Sequence, residues 1–299
     1  MKNLALAVCV SMVLFTGGAA AEDRLAHVSL QSAGRHSVAE PAASAWDDLD
    51  PDALRLRSAS VMVVDRAGHV VYSKDARQPR PIASITKLMT AMVILDSGLS
   101  LKQPITITKA DRDLIKLTGS RLRYGATLPR GRMLRLALLA SENRAANALA
   151  RTYPGGRKAF VAAMNRKARA LGMHDSHFAG PAGLDPATVA SARDLVKMIR
   201  AAQKYPLIRQ ATTSGFMTVR PYKHRGPLRF GNTNRLVRRA SWDIGLSKTG
   251  YINEAGRCLV MEAAIADKSL YIVLLDSFGK LTPFGDSNRL RRWIESSVR

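Results

Sequence analysis

The stretch from residue 80 to residue 92 constrains the fold most. It places a serine and a lysine at the start of a predicted apolar helix, which must pack against a hydrophobic core. Apolar residues at helical spacing follow Lys87 and predict a helix packed against a core. Ser84 precedes this lysine by three residues, so both side chains share one face if the helix begins near Ser84. Unpaired N–H groups and the positive end of the helix dipole lie there too. A hydroxyl beside an amine that can take its proton predicts an activated nucleophile.

The Ser-x-x-Lys spacing alone does not identify the nucleophile, since Ser277 and Lys280 repeat it. Ser277 follows a β-like run, Gly279 stands inside the pair, and the pattern predicts no apolar helix directly after it. Partner residues elsewhere in the chain are therefore needed to choose between the two serines.

Residues 1–21 predict a secretory signal, with Lys2 at its start, an apolar run over 4–15 and small residues at 19–21. The run is too short to span a membrane, and no other stretch reaches that length. We therefore expect export to the periplasm without a stable membrane anchor. Residues 22–50 lack periodicity and predict a flexible leader. Cys258 is the one cysteine left after the signal, and we expect it buried in a strand without a disulfide.

The formal net charge of +23 predicts an acidic partner surface. Nucleic acid and the anionic polymer of the cell wall both fit that description. The basic residues are scattered, the aromatic residues do not interleave with them, and the predicted export argues against DNA, so no nucleic-acid partner is expected. His174 and His177 flank a turn, but no third ligand set is near them in the sequence, so neither a metal nor a cofactor is expected.

The hydrophobic pattern predicts strands that open and close the domain, with helices between them. Strands are predicted over 59–64, 69–72, 105–108, 244–247, 258–266 and 270–275, and helices over 84–95, 132–140, 145–150, 158–171, 192–204 and 287–298. Residues 112–125 have no such pattern and predict a variable loop. The fold class is therefore α/β (α+β), with one antiparallel sheet of about five strands flanked and covered by helices.

Two further polar clusters stand beside the predicted elements. The triplet 141–143 interrupts an apolar helical run, so its polar groups are either satisfied in the core or face inward as a functional turn. The triplet 248–250 directly follows a β-like run. The chain thus carries three motifs in order: Ser84-x-x-Lys87, Ser141-x-Asn143 and Lys248-Thr249-Gly250.

With these motifs the chain resembles the low-molecular-weight penicillin-binding proteins, the D-alanyl-D-alanine peptidases, from about residue 54 to the end. Longer strings extend the resemblance and are most similar to the endopeptidases of the family: residues 80–92, 141–146, 153–156, 191–195, 205–208 and 232–234. The resemblance implies a β-lactamase/transpeptidase-like fold and a peptidase domain over residues 51–299.

The resemblance also implies a chemical role for the first motif residues. Ser84 would attack the carbonyl of a D-Ala amide and form an acyl-enzyme. Lys87 would act as the base, with a pKa lowered by burial and by the nearby Lys248. Ser141 would relay a proton to the leaving amine.

The remaining motif residues would bind substrate. Asn143 would hold the Lys87 amine and the substrate amide, and Lys248 with Thr249 would bind the substrate carboxylate. Gly250 would leave room for a strand-like substrate. The backbone N–H of Tyr251 would complete an oxyanion hole with that of the nucleophile.

The implied partners are peptidoglycan stem peptides and cross-links, with β-lactam antibiotics as covalent inhibitors. Endopeptidase action is favoured, with carboxypeptidase trimming of pentapeptide stems as the alternative. We expect neither the stalk nor the membrane anchor of many carboxypeptidases, because the sequence carries one predicted helix after its last predicted strand. No carboxylate is identified for fast antibiotic hydrolysis. A non-catalytic wall-binding or penicillin-sensing module has no need of both lysines. A Ser-His-Asp hydrolase lacks its Gly-x-Ser-x-Gly elbow here.

Overall fold

The computed structural model describes residues 46–297. The predicted signal at 1–21 and the leader up to residue 45 lie outside the described residues. Trp46 and Leu49, which fall within the predicted leader, are buried. The Trp46 indole N–H donates to Asp65 Oδ2 at 2.9 Å. Residues 46–50 therefore pack against the domain instead of preceding it as a free leader.

Between residues 46 and 297 the chain forms eleven β-strands and seven α-helices. The strands are β1 (Ser58–Asp65), β2 (Val70–Lys74), β3 (Arg80–Pro81), β4 (Pro104–Thr106), β5 (Thr127–Pro129), β6 (Val189–Ala190), β7 (Phe216–Val219), β8 (Leu228–Gly231), β9 (Asp243–Ile252), β10 (Gly256–Ile265) and β11 (Lys268–Ser277). The helices are α1 (Lys87–Asp96), α2 (Arg130–Leu139), α3 (Asn143–Arg151), α4 (Gly156–Ala170), α5 (Ala192–Ala202), α6 (Pro206–Thr213) and α7 (Thr282–Ser297).

Five strands form one antiparallel sheet in the order β2-β1-β11-β10-β9, which confirms the predicted fold class. On one face Val273 of β11 shares a core with Leu195 of α5. On the other face Ile272 shares a second core with Leu290 and Ile294 of α7. Because both faces of the central strands are buried, their sequence is a continuous apolar run. Strand β9 lies at the sheet edge, where one row of its backbone groups has no partner strand.

Helix α1 is the buried helix that the stretch 80–92 predicts. Leu88, Met89, Met92 and Ile94 are fully buried, and such a side chain contributes about 1.5–3 kcal/mol to folding. The α-helix begins at Lys87 after a 3₁₀ turn over Ala83–Thr86, so the predicted nucleophile lies in that turn and not in the helix. Side chains three residues apart eclipse one another in a 3₁₀ turn, which sets the serine and the lysine side by side.

The C-terminal helix departs from the sequence prediction. Helix α7 begins at Thr282, so it starts earlier than predicted and does follow the second Ser-x-x-Lys pair. Asp286 occupies a buried position in the first turns of this helix. Because a polar residue stands where the pattern requires an apolar one, the sequence does not reveal the helix start. It accepts from the backbone N–H of Ser58 at 2.7 Å and of Arg57 at 3.1 Å, and so ties α7 to β1.

Helix α6 and the β7–β8 hairpin were also not predicted, since neither carries a long periodic run. No helix among the described residues is both long and apolar enough to cross a bilayer.

Candidate active site

Lys87 is the centre of the polar site between α1, α3 and β9. Its side chain is fully buried. Its Nζ lies 2.6 Å from Ser84 Oγ, 2.8 Å from Asn143 Oδ1 and 2.8 Å from the carbonyl oxygen of Ala182. The predicted nucleophile, the predicted base and one predicted substrate-binding residue are therefore in direct contact.

The surroundings of Lys87 favour its neutral form. Burial and the positive Lys248 hold the pKa of Lys87 well below its ordinary value, against the opposing charges of Glu142 and Asp113. A neutral amine has two hydrogens and one lone pair. The Asn143 and backbone oxygens are acceptors only, so they take both hydrogens and leave the lone pair for the Ser84 hydroxyl.

The 3₁₀ turn that carries Ser84 is held from behind by the segment 181–183. Ala83 adopts a left-handed φ of 46°, and its carbonyl accepts from Thr86 Oγ1 at 2.6 Å. A Cβ on Gly183 would lie 1.8 Å from the Ala83 carbonyl oxygen and 2.5 Å from Thr86 Oγ1. Only glycine therefore allows this segment to approach the turn and present the Ala182 carbonyl to the lysine.

The triplet 141–143 divides its polar groups between the core and the site. Ser141, with a φ of 59°, lies between α2 and α3, and its Oγ accepts from Lys248 Nζ at 3.0 Å. Glu142 is buried and accepts from the hydroxyl of Ser120. Asn143 faces Lys87. Both interpretations of the triplet hold, because the glutamate is satisfied core polarity and its two neighbours form an inward-facing turn.

Lys248 is the second buried lysine of the site. Burial lowers its pKa to about 7. Its Nζ also donates to the Thr249 carbonyl at 2.8 Å, and it forms no ion pair within residues 46–297. The Thr249 hydroxyl donates to Thr233 Oγ1 at 2.7 Å. With a pKa of about 7, Lys248 is partly protonated near neutral pH. Because no anion among the described residues pairs with it and the hydroxyl groups of Ser141 and Thr249 are close by, it can bind a substrate carboxylate.

Gly250 lets the edge strand β9 approach the nucleophile turn. A Cβ on this residue would lie 2.9 Å from the Ile82 carbonyl oxygen and 3.1 Å from the Ser84 nitrogen. The glycine is thus required by contacts inside the protein, in addition to the room for substrate that the resemblance implies. Tyr251 follows at the mouth, with 47% of its surface exposed and the Arg257 guanidinium 3.6 Å from its ring centroid.

These residues line one cavity of about 310 Å³. It is bordered by Ser84, Thr118, Ser141, Asn143, Thr233, Thr249, Gly250 and Tyr251, and also by Arg257, Cys258 and Lys280. Of the eight predicted site residues, six line this cavity, while both lysines are buried in its wall.

Known proteins resemble this chain over most of its length. The D-alanyl-D-alanine endopeptidases of Pseudomonas aeruginosa and Escherichia coli are 47% and 46% identical to it, with 81% of this chain and 78% of each relative aligned. The crystal structure of a Streptomyces DD-transpeptidase has a TM-score of 0.74 at 28% identity and covers 81% of this chain and 98% of that chain. A family model described as D-alanyl-D-alanine carboxypeptidase matches residues 48–279. The chain belongs to the D-alanyl-D-alanine carboxypeptidase family.

The family resemblance drawn from the three motifs is thereby confirmed, and so is the predicted transpeptidase-like fold. The site also contains polar residues that lie outside the three motifs. Asn143 Nδ2 donates to Thr118 Oγ1 at 2.9 Å, and the Thr118 hydroxyl donates to Asp113 Oδ2 at 2.7 Å. Sequence reasoning missed both residues, because they lie in the segment 112–125 that it interpreted as a variable loop.

Asp113 organises that loop. It is buried, and its two oxygens accept backbone N–H groups from Ile115, Lys116 and Thr118 at 2.9–3.0 Å. Burial opposes ionisation, but these hydrogen bonds lower the pKa of Asp113 overall. An aspartate followed two residues later by its own N–H donor is typical of an Asx turn, and this was the available sequence signal.

The second Ser-x-x-Lys pair has a different environment. Ser277 is buried in β11, and its Oγ lies 2.7 Å from Ser58 Oγ, which in turn donates to Asp286 at 2.6 Å. Among the described residues Lys280 forms no hydrogen bond with it and borders the active-site cavity instead. This serine is a satisfied core residue.

The cysteine prediction is confirmed, and no described residues form a metal cluster. Cys258 is a free cysteine in β10 and is 2% exposed. Burial raises the pKa of its thiol to about 12, so it remains a protonated core residue. Residues 46–297 contain no group of three or more histidine, cysteine, aspartate or glutamate side chains that could hold a metal ion.

Proposed function

We propose that this chain is a serine D-alanyl-D-alanine endopeptidase of the periplasm that cleaves peptide cross-links of peptidoglycan through an acyl-enzyme on Ser84. The observation that carries the proposal is the geometry of Lys87, whose two hydrogens have acceptors and whose lone pair faces Ser84 Oγ at 2.6 Å. The predicted signal at residues 1–21 supports export. The names of the two bacterial relatives support the choice of endopeptidase.

In the acylation step the Ser84 proton passes to Lys87 Nζ while the Oγ–C bond forms. The carbonyl electron pair moves onto oxygen, where the backbone N–H groups of Ser84 and Tyr251 stabilise it. When the pair returns, the C–N bond breaks. The leaving amine takes the proton of the Ser141 hydroxyl, which contacts Lys248, and the proton held by Lys87 passes to the Ser141 oxygen, so that Lys87 is neutral again before deacylation.

In the deacylation step a water molecule takes the place of the amine. Its proton passes to the neutral Lys87, its oxygen bonds to the acyl carbon, and the Ser84 oxygen leaves with a proton. Side chains and substrate account for every proton and electron pair, so the proposal includes no cofactor or metal.

Substrate binding uses the edge strand and the remaining motif residues. Lys248 and Thr249 pair with the carboxylate beside the scissile amide, while Asn143 accepts from the substrate amide or donates to it. An extended peptide can add to the free edge of β9. A β-lactam presents the same carboxylate and a strained amide, so it acylates Ser84 in place of the peptide.

The shape of the cleft favours cross-links over free stem ends. Ser141 and Asn143 also line a second groove of about 440 Å³, with Gly119, Arg121 and Phe230. Because the two cavities share Ser141 and Asn143, this groove offers room for further peptide beside the catalytic cavity. An endopeptidase needs room for peptide on both sides of the scissile bond, whereas a carboxypeptidase needs only to enclose a terminal D-Ala.

We expect the purified enzyme to cut cross-linked muropeptide dimers to monomers between D-Ala and the diamino acid, and to release free D-Ala from pentapeptide monomers more slowly. The products are separated by liquid chromatography and identified by mass. Rapid release of D-Ala while dimers persist would instead establish the alternative, a carboxypeptidase that trims pentapeptide stems.

We also expect a pH limit near 7 on kcat/KM, which reports the free enzyme. The pKa of Lys248 is about 7, so this residue loses its charge, and with it carboxylate binding, as the pH rises through that value. Lys87 must instead be neutral, so activity also falls at a pH below its lowered pKa. The profile should be bell-shaped.

The matched variant for this profile is Lys248→Arg, since guanidinium keeps its charge at every accessible pH. Its maximum rate is expected to fall, because the buried position is shaped for lysine, but its high-pH limb should move upward. An unmoved limb in this variant would assign the limb to another group.

A further inference from the structure

A groove of about 600 Å³ lies between the start of α2, helix α6 and strand β7, away from the catalytic cavity. We name it the basic groove. Its walls are apolar, and its charged lining consists of Lys102, Arg132 and Arg135. No carboxylate lines it, and within residues 46–297 none of these three cations forms an ion pair. The groove therefore has uncompensated positive charge along an apolar wall.

An exposed aromatic ring stands in the basic groove. Phe216 is 50% exposed, although large apolar side chains are usually buried. The guanidinium carbon of Arg229 lies 4.0 Å from its ring centroid and that of Arg238 lies 5.3 Å away. These contacts hold the ring and add positive charge around it. A ligand here can place an apolar group on the ring and anionic groups on the surrounding cations.

A second large groove shows that this arrangement is not a general consequence of the basic composition. The chain has 46 lysine and arginine residues against 23 aspartate and glutamate residues, so basic side chains occur on most surfaces. The other groove, of about 900 Å³, mixes both signs: Arg66, Arg200, Lys204 and Arg209 with Asp243, Glu262 and Asp267. The absence of any acidic side chain distinguishes the basic groove from this mixed groove.

The basic groove is structurally connected to the catalytic cavity through α2. Arg132 lies in the first turn of this helix and Leu139 at its end, and both line the groove. The two positions are about 10 Å apart along the helix axis. The Leu139 carbonyl accepts from the backbone N–H of Thr233 at 3.1 Å, and the Thr233 hydroxyl contacts Thr249. A polymer of modest length can therefore reach both places on one enzyme molecule.

We propose that the basic groove is a second binding site for peptidoglycan, in which carboxylates of uncut stem peptides pair with Lys102, Arg132 and Arg135 while apolar parts of the strand contact Phe216. The inference rests on the proposed function, since it takes the same polymer as its ligand. Binding at a second site keeps the enzyme on the wall between cuts and raises the local concentration of cross-links at Ser84.

The test compares two double variants that remove the same charge. Arg132→Gln with Arg135→Gln changes the basic groove, and Lys204→Gln with Arg209→Gln changes the mixed groove. Each protein is assayed for binding to isolated sacculi over a salt series, for cleavage of sacculi and for cleavage of soluble cross-linked dimers. For the basic-groove variant we expect about tenfold weaker sacculus binding, which corresponds to one decade in Kd. Its ratio of sacculus to dimer cleavage should fall by a similar factor, and its binding should depend less on salt.

The control variant should match the wild type in all three assays. Equal losses in both variants would attribute binding to net charge and overturn the proposal. A loss of dimer cleavage equal to the loss on sacculi would make the groove part of the catalytic cleft, which also overturns it. Equal weakening of binding to phosphatidylglycerol vesicles would assign the groove to a lipid surface. If the wild type cleaves no dimers at all, the proposed function fails, whereas sacculus binding still decides the role of the groove.

Discussion

Replacing Lys87 with arginine is expected to lower the rate of Ser84 acylation by about a thousandfold or more, the order of effect of removing a general base. Guanidinium stays protonated in proteins and has no lone pair to accept the serine proton. The native lysine is fully buried and directs its two hydrogens to Asn143 Oδ1 and the Ala182 carbonyl. The second-order rate of labelling by a fluorescent penicillin measures the effect.

The arginine also places a permanent charge in a buried position, so its folding requires a control. Lys87→Met has similar length and no charge, and it should fold while losing acylation to a similar extent. Thermal unfolding of both variants separates stability from chemistry. Undiminished labelling of a folded Lys87→Met protein would require a different base. It would also revive the alternative of a penicillin-sensing module, in which the lysine has no chemical task.

The contact between Ser84 and Lys87 could be predicted from the residues themselves because both lie at the start of a helix, whereas the contacts of Asn143 and Lys248 were implied by the family resemblance. The apolar periodicity after Lys87 predicts a buried helix, and the β-like run before Lys248 predicts a strand. With a helix start and a strand edge, the directions of the side chains follow from the geometry of each element. In the structure Ser84 Oγ lies 2.6 Å and Asn143 Oδ1 lies 2.8 Å from Lys87 Nζ.

The second layer of contacts could not be predicted, because it depends on approaches between segments that are distant in sequence. Thr118 reaches Asn143 only because Asp113 folds the loop back with its two oxygens. Gly183 matters because the turn at Ala83 comes within contact distance of it. Neither contact is marked by a periodic pattern in the sequence. A single aspartate or glycine in a polar stretch is compatible with many loop conformations.

Hydrogen bonds between residues that are distant in sequence explain the departures from prediction at the two ends of the domain. Asp286 interrupts the apolar pattern of α7, but it accepts from the backbone N–H groups of Arg57 and Ser58 and pairs with Arg289. Trp46 was included in the leader because polar and small residues surround it, whereas its indole bonds to Asp65 on the sheet. In both cases a polar side chain has a partner that is far away in sequence, and composition alone places it outside the fold.

The two Ser-x-x-Lys pairs are expected to respond to alanine in opposite ways. Ser84→Ala should abolish covalent labelling by penicillin and reduce peptidase turnover by up to about 10⁶-fold, as for other serine nucleophiles. Its fold should be preserved, because within residues 46–297 the half-buried Ser84 hydroxyl forms a hydrogen bond with the lysine amine alone. Ser277→Ala should keep its labelling, because its hydroxyl is buried in the core against Ser58. Loss of that buried hydrogen bond should cost about 1–3 kcal/mol, which lowers Tm by several degrees in a domain of this size.

Mass spectrometry of the penicillin adduct locates the acylated serine, and a thermal scan gives the stability. An adduct on Ser277, or normal labelling of Ser84→Ala, would overturn the assignment of the nucleophile.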